Sequence, residues 1–106
     1  MDSPKALMDD FIRKTEEKAE LTSSINGVYQ YDFSASDHGV WSITFENGKA
    51  AYTEGETQNP VVTIKAKFDT FVDFYQGKLN AMSAVMTGKI KIKGNMSAAM
   101  KMQQFL

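Results

Sequence analysis

GVYQYDFSASDHGVWSITFENGKAAYT, residues 27–53, is where the period of the chain changes from helical to two. Tyr29, Tyr31 and Phe33 alternate with Gln30, Asp32 and Ser34; Trp41, Ile43 and Phe45 alternate with Ser42, Thr44 and Glu46. A strand sends successive side chains to opposite faces, so each run predicts a strand with one buried face. Ser36-Asp37-His38-Gly39 supplies a turn between them, and Asn47-Gly48 is a strong two-residue hairpin signal. A third strand follows over about 49–53, residues 54–60 (EGETQNP) compose a loop, and Val61 to Ala66 read as a fourth strand. These four strands are expected to form an antiparallel meander.

Helical spacing surrounds this core. Ser3-Pro4 is a cap followed by proline at the first helical position, and Leu7, Met8, Phe11, Ile12 and Thr15 make one apolar stripe. This predicts a helix over 4–21, with Asp9, Asp10, Arg13, Lys14, Glu16, Glu17 and Lys18 on its wet side. Phe68, Phe71, Val72 and Tyr75 predict a second helix stopped by Gly77, and Asn80 caps a short third one ended by Gly88. Lys89 to Lys93 alternate strictly as a fifth strand, isoleucine on one face and lysine on the other. Asn95 then caps a final helix whose stripe is Met96, Ala99, Met100, Gln103 and Leu106. The expected architecture is α+β, a single domain over 1–106. One mostly antiparallel five-stranded sheet carries about four helices on one face.

The charges are unevenly placed. Residues 1–73 sum to −6, whereas residues 74–106 hold five lysines and no acid, and five of the seven methionines. A basic stretch can draw phosphates or anionic membrane surfaces, or it can be the wet face of a strand. Methionine can be ordinary core, or a soft wall that repacks around ligands of different shape. Both pairs of readings stand at the level of sequence.

Little here can perform chemistry. Without cysteine there is no thiolate nucleophile and no thiolate zinc site, and the single His38 sits in a turn with no partner at motif spacing. No phosphate-binding glycine loop occurs. Asp69 and Asp73, four apart on a helix, are too few for a hard-metal site. Eleven lysines against one arginine is a poor composition for reading bases, and the pI near 5.8 lacks domain-wide basic character. The expectation is neither an enzyme nor a nucleic-acid binder, with no cofactor and no metal.

Residues 78–106, KLNAMSAVMTGKIKIKGNMSAAMKMQQFL, resemble the signature end of the sterol carrier protein-2 domain family. Gly77-Lys78-Leu79-Asn80, Gly88-Lys89-Ile90-Lys91-Ile92, Gly94-Asn95-Met96 and Met100-Lys101-Met102-Gln103 carry the likeness. Val40-Trp41-Ser42-Ile43 before Asn47-Gly48-Lys49 extends it upstream, and so does Phe68 to Gly77. Ala81 stands where the family often has proline. The resemblance implies a nonenzymatic carrier of fatty acid, fatty acyl-CoA, phospholipid or sterol in an apolar tunnel between sheet and helices. It places Trp41, Val85, Met86, Ile90, Ile92, Met96, Met100 and Gln103 on that tunnel, Gln103 at a polar position able to meet a head group. The implied partners are a lipid with a long acyl chain and, transiently, an anionic membrane. Oligomeric state stays open. The alternative is an interaction module of the same fold whose tunnel is filled by its own side chains. A cytoplasmic location is expected, since no apolar run approaches the ~20 residues of a membrane span and Gln104-Phe105-Leu106 is not a peroxisomal tripeptide.

Overall fold

The computed structural model describes residues 1–106. The chain runs α1 (Pro4–Glu17), α2 (Ala19–Ser23), β1 (Gly27–Asp32), β2 (Val40–Glu46), β3 (Lys49–Glu54), β4 (Val62–Ala66), α3 (Phe68–Tyr75), α4 (Ala81–Met86), β5 (Ile90–Gly94) and α5 (Met96–Met102). Short 3₁₀ turns cover Ser34–Ser36 and Gln103–Phe105. The fold is α+β with one five-stranded sheet, its helices packed on one side.

The first predicted helix is two. The chain bends at Lys18 (φ −112°, ψ 58°), and the Thr15 carbonyl left over at the break accepts from the Thr22 hydroxyl at 2.6 Å. A buried carbonyl must find such a donor, so Thr22, 2 % exposed, stabilises the bend rather than the helix end.

The meander expectation fails at the fourth strand. The sheet order is β3-β2-β1-β4-β5, with β4 parallel to β1 and every other neighbour antiparallel. Residues 55–61 must therefore cross β2 and β1, and they do so over the outer, polar face. Gln30 Oε1 accepts from the Thr57 backbone N–H at 3.0 Å and from its hydroxyl at 3.3 Å. Ser42, fully buried, donates to the Gly55 carbonyl at 3.1 Å. Gln30 and Ser42 are register partners. Side chains that read as a wet face thus fasten the crossover.

Val61, expected inside β4, is instead the last residue of the crossover. It donates to the Val28 carbonyl (2.8 Å) and accepts from the Asn95 N–H (3.1 Å). Gly27 (φ +113°) and Gly94 (φ +114°) press against it from the two flanking strands. A Cβ on Gly94 would lie 2.7 Å from the Val61 oxygen. Only glycine combines that approach with that φ.

The inner face buries Tyr29, Tyr31, Ile43, Phe45, Val62, Ile64 and Ile90 against Leu7, Met8, Phe11, Phe71 and Tyr75 of α1 and α3. Phe105 closes one end, edge-on to Phe11 at 5.3 Å and stacked near Phe45 at 6.0 Å. Tightening from α5 into a 3₁₀ turn carries Phe105 inward, so Ala98, Ala99, Met102 and Phe105 form the buried stripe, not the one expected. Asp9 and Asp10, read as wet-face acids, hold partners on neighbouring elements at the rim of the core: Tyr52 donates to Asp9 and Tyr75 to Asp10, both at 2.7 Å. Partial burial pushes the Asp10 carboxyl up, but hydrogen bonds from Arg13 and Tyr75 outweigh it and hold the group below the ordinary carboxylate range.

Two outcomes follow. Gly94→Ala is expected to lower urea-unfolding stability by about 2 kcal/mol, from left-handed backbone strain and the contact with Val61. Because the folded-state pKa of Asp10 is depressed, its contribution is complete above the unfolded pKa, about 3.9. It is lost as pH falls through the lower folded value. Asp10→Asn should therefore be less stable than the parent at pH 7, with the two unfolding midpoints converging as the pH falls through that folded value.

Candidate functional site

Between the inner sheet face and the helices lies a narrow cleft with about 50 Å³ of free space inside it. Tyr31, Ile43, Ile64, Ile90 and Ile92 make its floor, one inward side chain or two from each of four strands. Leu7, Met8 and Phe11 of α1 and Phe71, Phe74 and Tyr75 of α3 make the walls. Ala81 and Val85 of α4 face Ala99, Met102, Gln103 and Leu106 at the C-terminal end.

Burial locates the mouth. Leu7, Met8, Phe11, Tyr31, Ile43 and Phe71 are sealed, whereas Val85, Gln103 and Leu106 are exposed, with Phe74, Ala81 and Ile92 between. The cleft opens between α4 and α5, over the middle of the edge strand β5. Both helices start on asparagine caps: Asn80 Oδ1 accepts from the Ser83 N–H (3.1 Å) and Asn95 Oδ1 from the Ala98 N–H (3.0 Å). α4 has a single buried residue, Ala84, so it is the least anchored wall.

The lining is apolar except for Gln103 at the mouth. Two tyrosine hydroxyls bear on it. Tyr75 is occupied, donating to Asp10. Tyr31 makes no hydrogen bond to the protein, and burial, with Tyr29 beside it, pushes its phenol up so that it stays neutral. A neutral phenol in an apolar cleft can meet one polar atom of a guest.

Of the eight residues the resemblance placed on a tunnel, Val85, Ile90, Ile92 and Gln103 line the cleft together. Trp41, Met86, Met96 and Met100 do not. Trp41 is buried at the far end of β2, its indole N–H on the His38 carbonyl at 2.9 Å and its ring 6.1 Å from Tyr52. His38 is itself no free turn residue: its ring stacks on Phe68 at 4.8 Å. Met86 follows the inward Val85 by one helical position and is 80 % exposed. Met96 and Met100 lie outside the buried stripe of α5, 50 % and 61 % exposed. Sequence reasoning missed Tyr31, Phe71, Tyr75 and the α1 residues as lining. Their inward periodicity was visible, but periodicity marks burial and cannot separate a packed side chain from one beside a void.

The model of the SCP-2 sterol transfer family matches residues 8–106, and the chain belongs to that family. It is 34 % identical over 103 residues to bovine "Hydroxysteroid dehydrogenase-like protein 2", covering 95 % of this chain and 22 % of that protein. It is 40 % identical over 86 residues to "Peroxisomal multifunctional enzyme A" of Dictyostelium discoideum, covering 79 % of this chain and 20 % of the relative. The chain thus spans about a fifth of the length of these relatives. Among solved structures, sterol carrier protein domain 2 of Helicoverpa armigera superposes with a TM-score of 0.78 at 31 % identity, covering 94 % of this chain and 85 % of that one.

The cleft distinguishes inside from outside by substitution. Ala99→Trp is expected to occlude it and abolish uptake of a fluorescent fatty acid supplied as monomer in solution. Met100→Trp, on the outer surface, should leave uptake within about twofold of the parent.

Proposed function

We propose that this domain carries a lipid with a long alkyl chain, taken up without chemical change. The observation that supports it is the composition of the cleft: an interior apolar but for the Tyr31 and Tyr75 hydroxyls, with Gln103 at the mouth. Such a site favours a guest that is apolar along its length and polar at one end. Burying ~16 carbons at ~0.8 kcal/mol per methylene amounts to ~12 kcal/mol before ordering costs. That is enough for micromolar affinity or better without directional bonds. Fatty acid, fatty acyl-CoA, phospholipid and sterol-like guests all meet this description. Selectivity among them would rest on Gln103 at the mouth and on Tyr31 inside. A full-length chain requires α4 to move outward, which its single buried residue permits.

The match of residues 8–106 to the SCP-2 sterol transfer family supports carriage as the role of this domain. The five lysines beyond residue 73 would raise the local concentration of the protein near anionic lipid. The second reading, a module filled by its own side chains, draws on the small free space of about 50 Å³, and the same experiment decides between the two.

Native mass spectrometry of the purified protein, with solvent extraction of whatever it carries, tests the proposal. A bound lipid, or displacement of a fluorescent fatty acid by unlabelled chains of ~16 carbons, is the expected result. No extracted lipid together with no displacement would overturn it.

A further inference from the structure

Seven large hydrophobic residues are exposed, and all but Met1 lie on α4, on α5 or at the final residue: Met82, Val85, Met86, Met96, Met100 and Leu106. Met82 and Met86 are 71 % and 80 % exposed. These positions follow the two lips of the cleft. On α4, Met82 is one turn before Val85, which lines the mouth. On α5, Met96 and Met100 continue into Gln103, which lines the opposite lip. Residues three and four apart share a helix face, so each row of methionines runs beside the opening. Exposed apolar patches on a small domain are unusual unless something covers them.

The charges flanking these rows are mostly lysines, with Asp73 sharing the groove beside Lys89 and Lys91. Lys78 and Lys89 bracket α4, Lys101 follows Met100, and Lys91 and Lys93 stand on β5, the strand at the edge of the sheet on this side. No acid occurs from residue 74 onward. None of these lysines forms an ion pair; the three ion pairs in the molecule all lie on α1. A second copy of the chain is a poor occupant. In a two-fold dimer a face meets itself, which would set the same lysines against each other. A surface that buries soft apolar side chains to headgroup depth and presents phosphates or carboxylates to the ammonium groups of Lys78, Lys89 and Lys101, with Lys91 and Lys93 behind them on the outer face of β5, fits both features.

We propose that the edge formed by α4, β5 and α5 is the face that docks on an anionic bilayer, seating the mouth of the cleft against the lipid. This rests on the carrier reading for its purpose, but not for its test. The methionines enter the interface and the lysines hold the headgroups, so a guest passes between membrane and cleft without crossing water.

The experiment is co-sedimentation with phosphatidylcholine vesicles, with and without about 30 mol % phosphatidylserine. The parent is compared with Met82→Gln/Met86→Gln/Met96→Gln/Met100→Gln and, separately, with Lys78→Gln/Lys101→Gln. The four methionines are exposed, so thermal unfolding should be nearly unchanged, and the lysine pair is an independent second variant should the first misfold. Expected are salt-sensitive binding of the parent to the anionic vesicles, a loss of about tenfold in each variant, and unchanged uptake of monomeric fluorescent fatty acid. Vesicle binding that is unaffected in both variants, equal on neutral vesicles, or replaced by dimerisation through this face would overturn the docking face. Vesicle binding without any fatty-acid uptake by the parent would instead overturn the carrier reading and leave the docking face standing.

Discussion

The parallel pairing of β1 with β4 is the constraint on which the rest of the molecule depends. It places two antiparallel pairs, β2–β3 and β4–β5, on opposite sides of a central strand, so residues 55–61 must cross the sheet. The outer face takes the crossover, held by Gln30 and Ser42. The inner face is thereby left to the helices alone. Val61 threads between Gly27 and Gly94 and delivers the chain to β4, and β5 then becomes the edge. Without that crossing the C-terminal elements would not meet α1 and α3 over one floor.

The cleft is a consequence of unequal anchoring. α1 and α3 are fastened from both ends of their side chains, by aromatic packing inside and by the Tyr52–Asp9 and Tyr75–Asp10 hydrogen bonds at the rim. Net burial of a carboxylate is tolerated only with such donors. α4 has one buried residue and no side-chain tie to another element beyond its own cap. The cleft therefore opens on the side where the fewest groups oppose it, and the apolar interior is stable without a resident polar network. β5 needs protection as an edge, and alternating lysines on its outer face supply it. The same side chains supply positive charge beside the opening.

Much of this was readable from the chain. Period-two alternation marked four strands and the Asn47-Gly48 hairpin implied the third, asparagine and serine marked three helix caps, and the C-terminal run from Gly77 resembled one family closely enough to imply the fold. Val85, Ile90, Ile92 and Gln103 line the cleft, because their places in short elements leave only one inward direction. Met96 and Met100 do not, because the last helix tightens at Gln103 and turns Phe105 inward instead. Trp41 faces the core but at the wrong end of β2, a matter of distance along a strand that alternation cannot express.

What the sequence determined by itself, then, was local: which segments are strands or helices, which side of each strand and of α1 and α3 is apolar, and where the capped helices begin. Those follow from side-chain direction and from hydrogen-bond partners within a few residues. Tertiary structure alone decided which strand lies beside β1, that Ser42 and Asp10 are structural rather than solvated, and that the methionines of α4 and α5 rim the cleft instead of lining it. These depend on which surfaces meet across the fold, and a pattern confined to one element does not contain its neighbour.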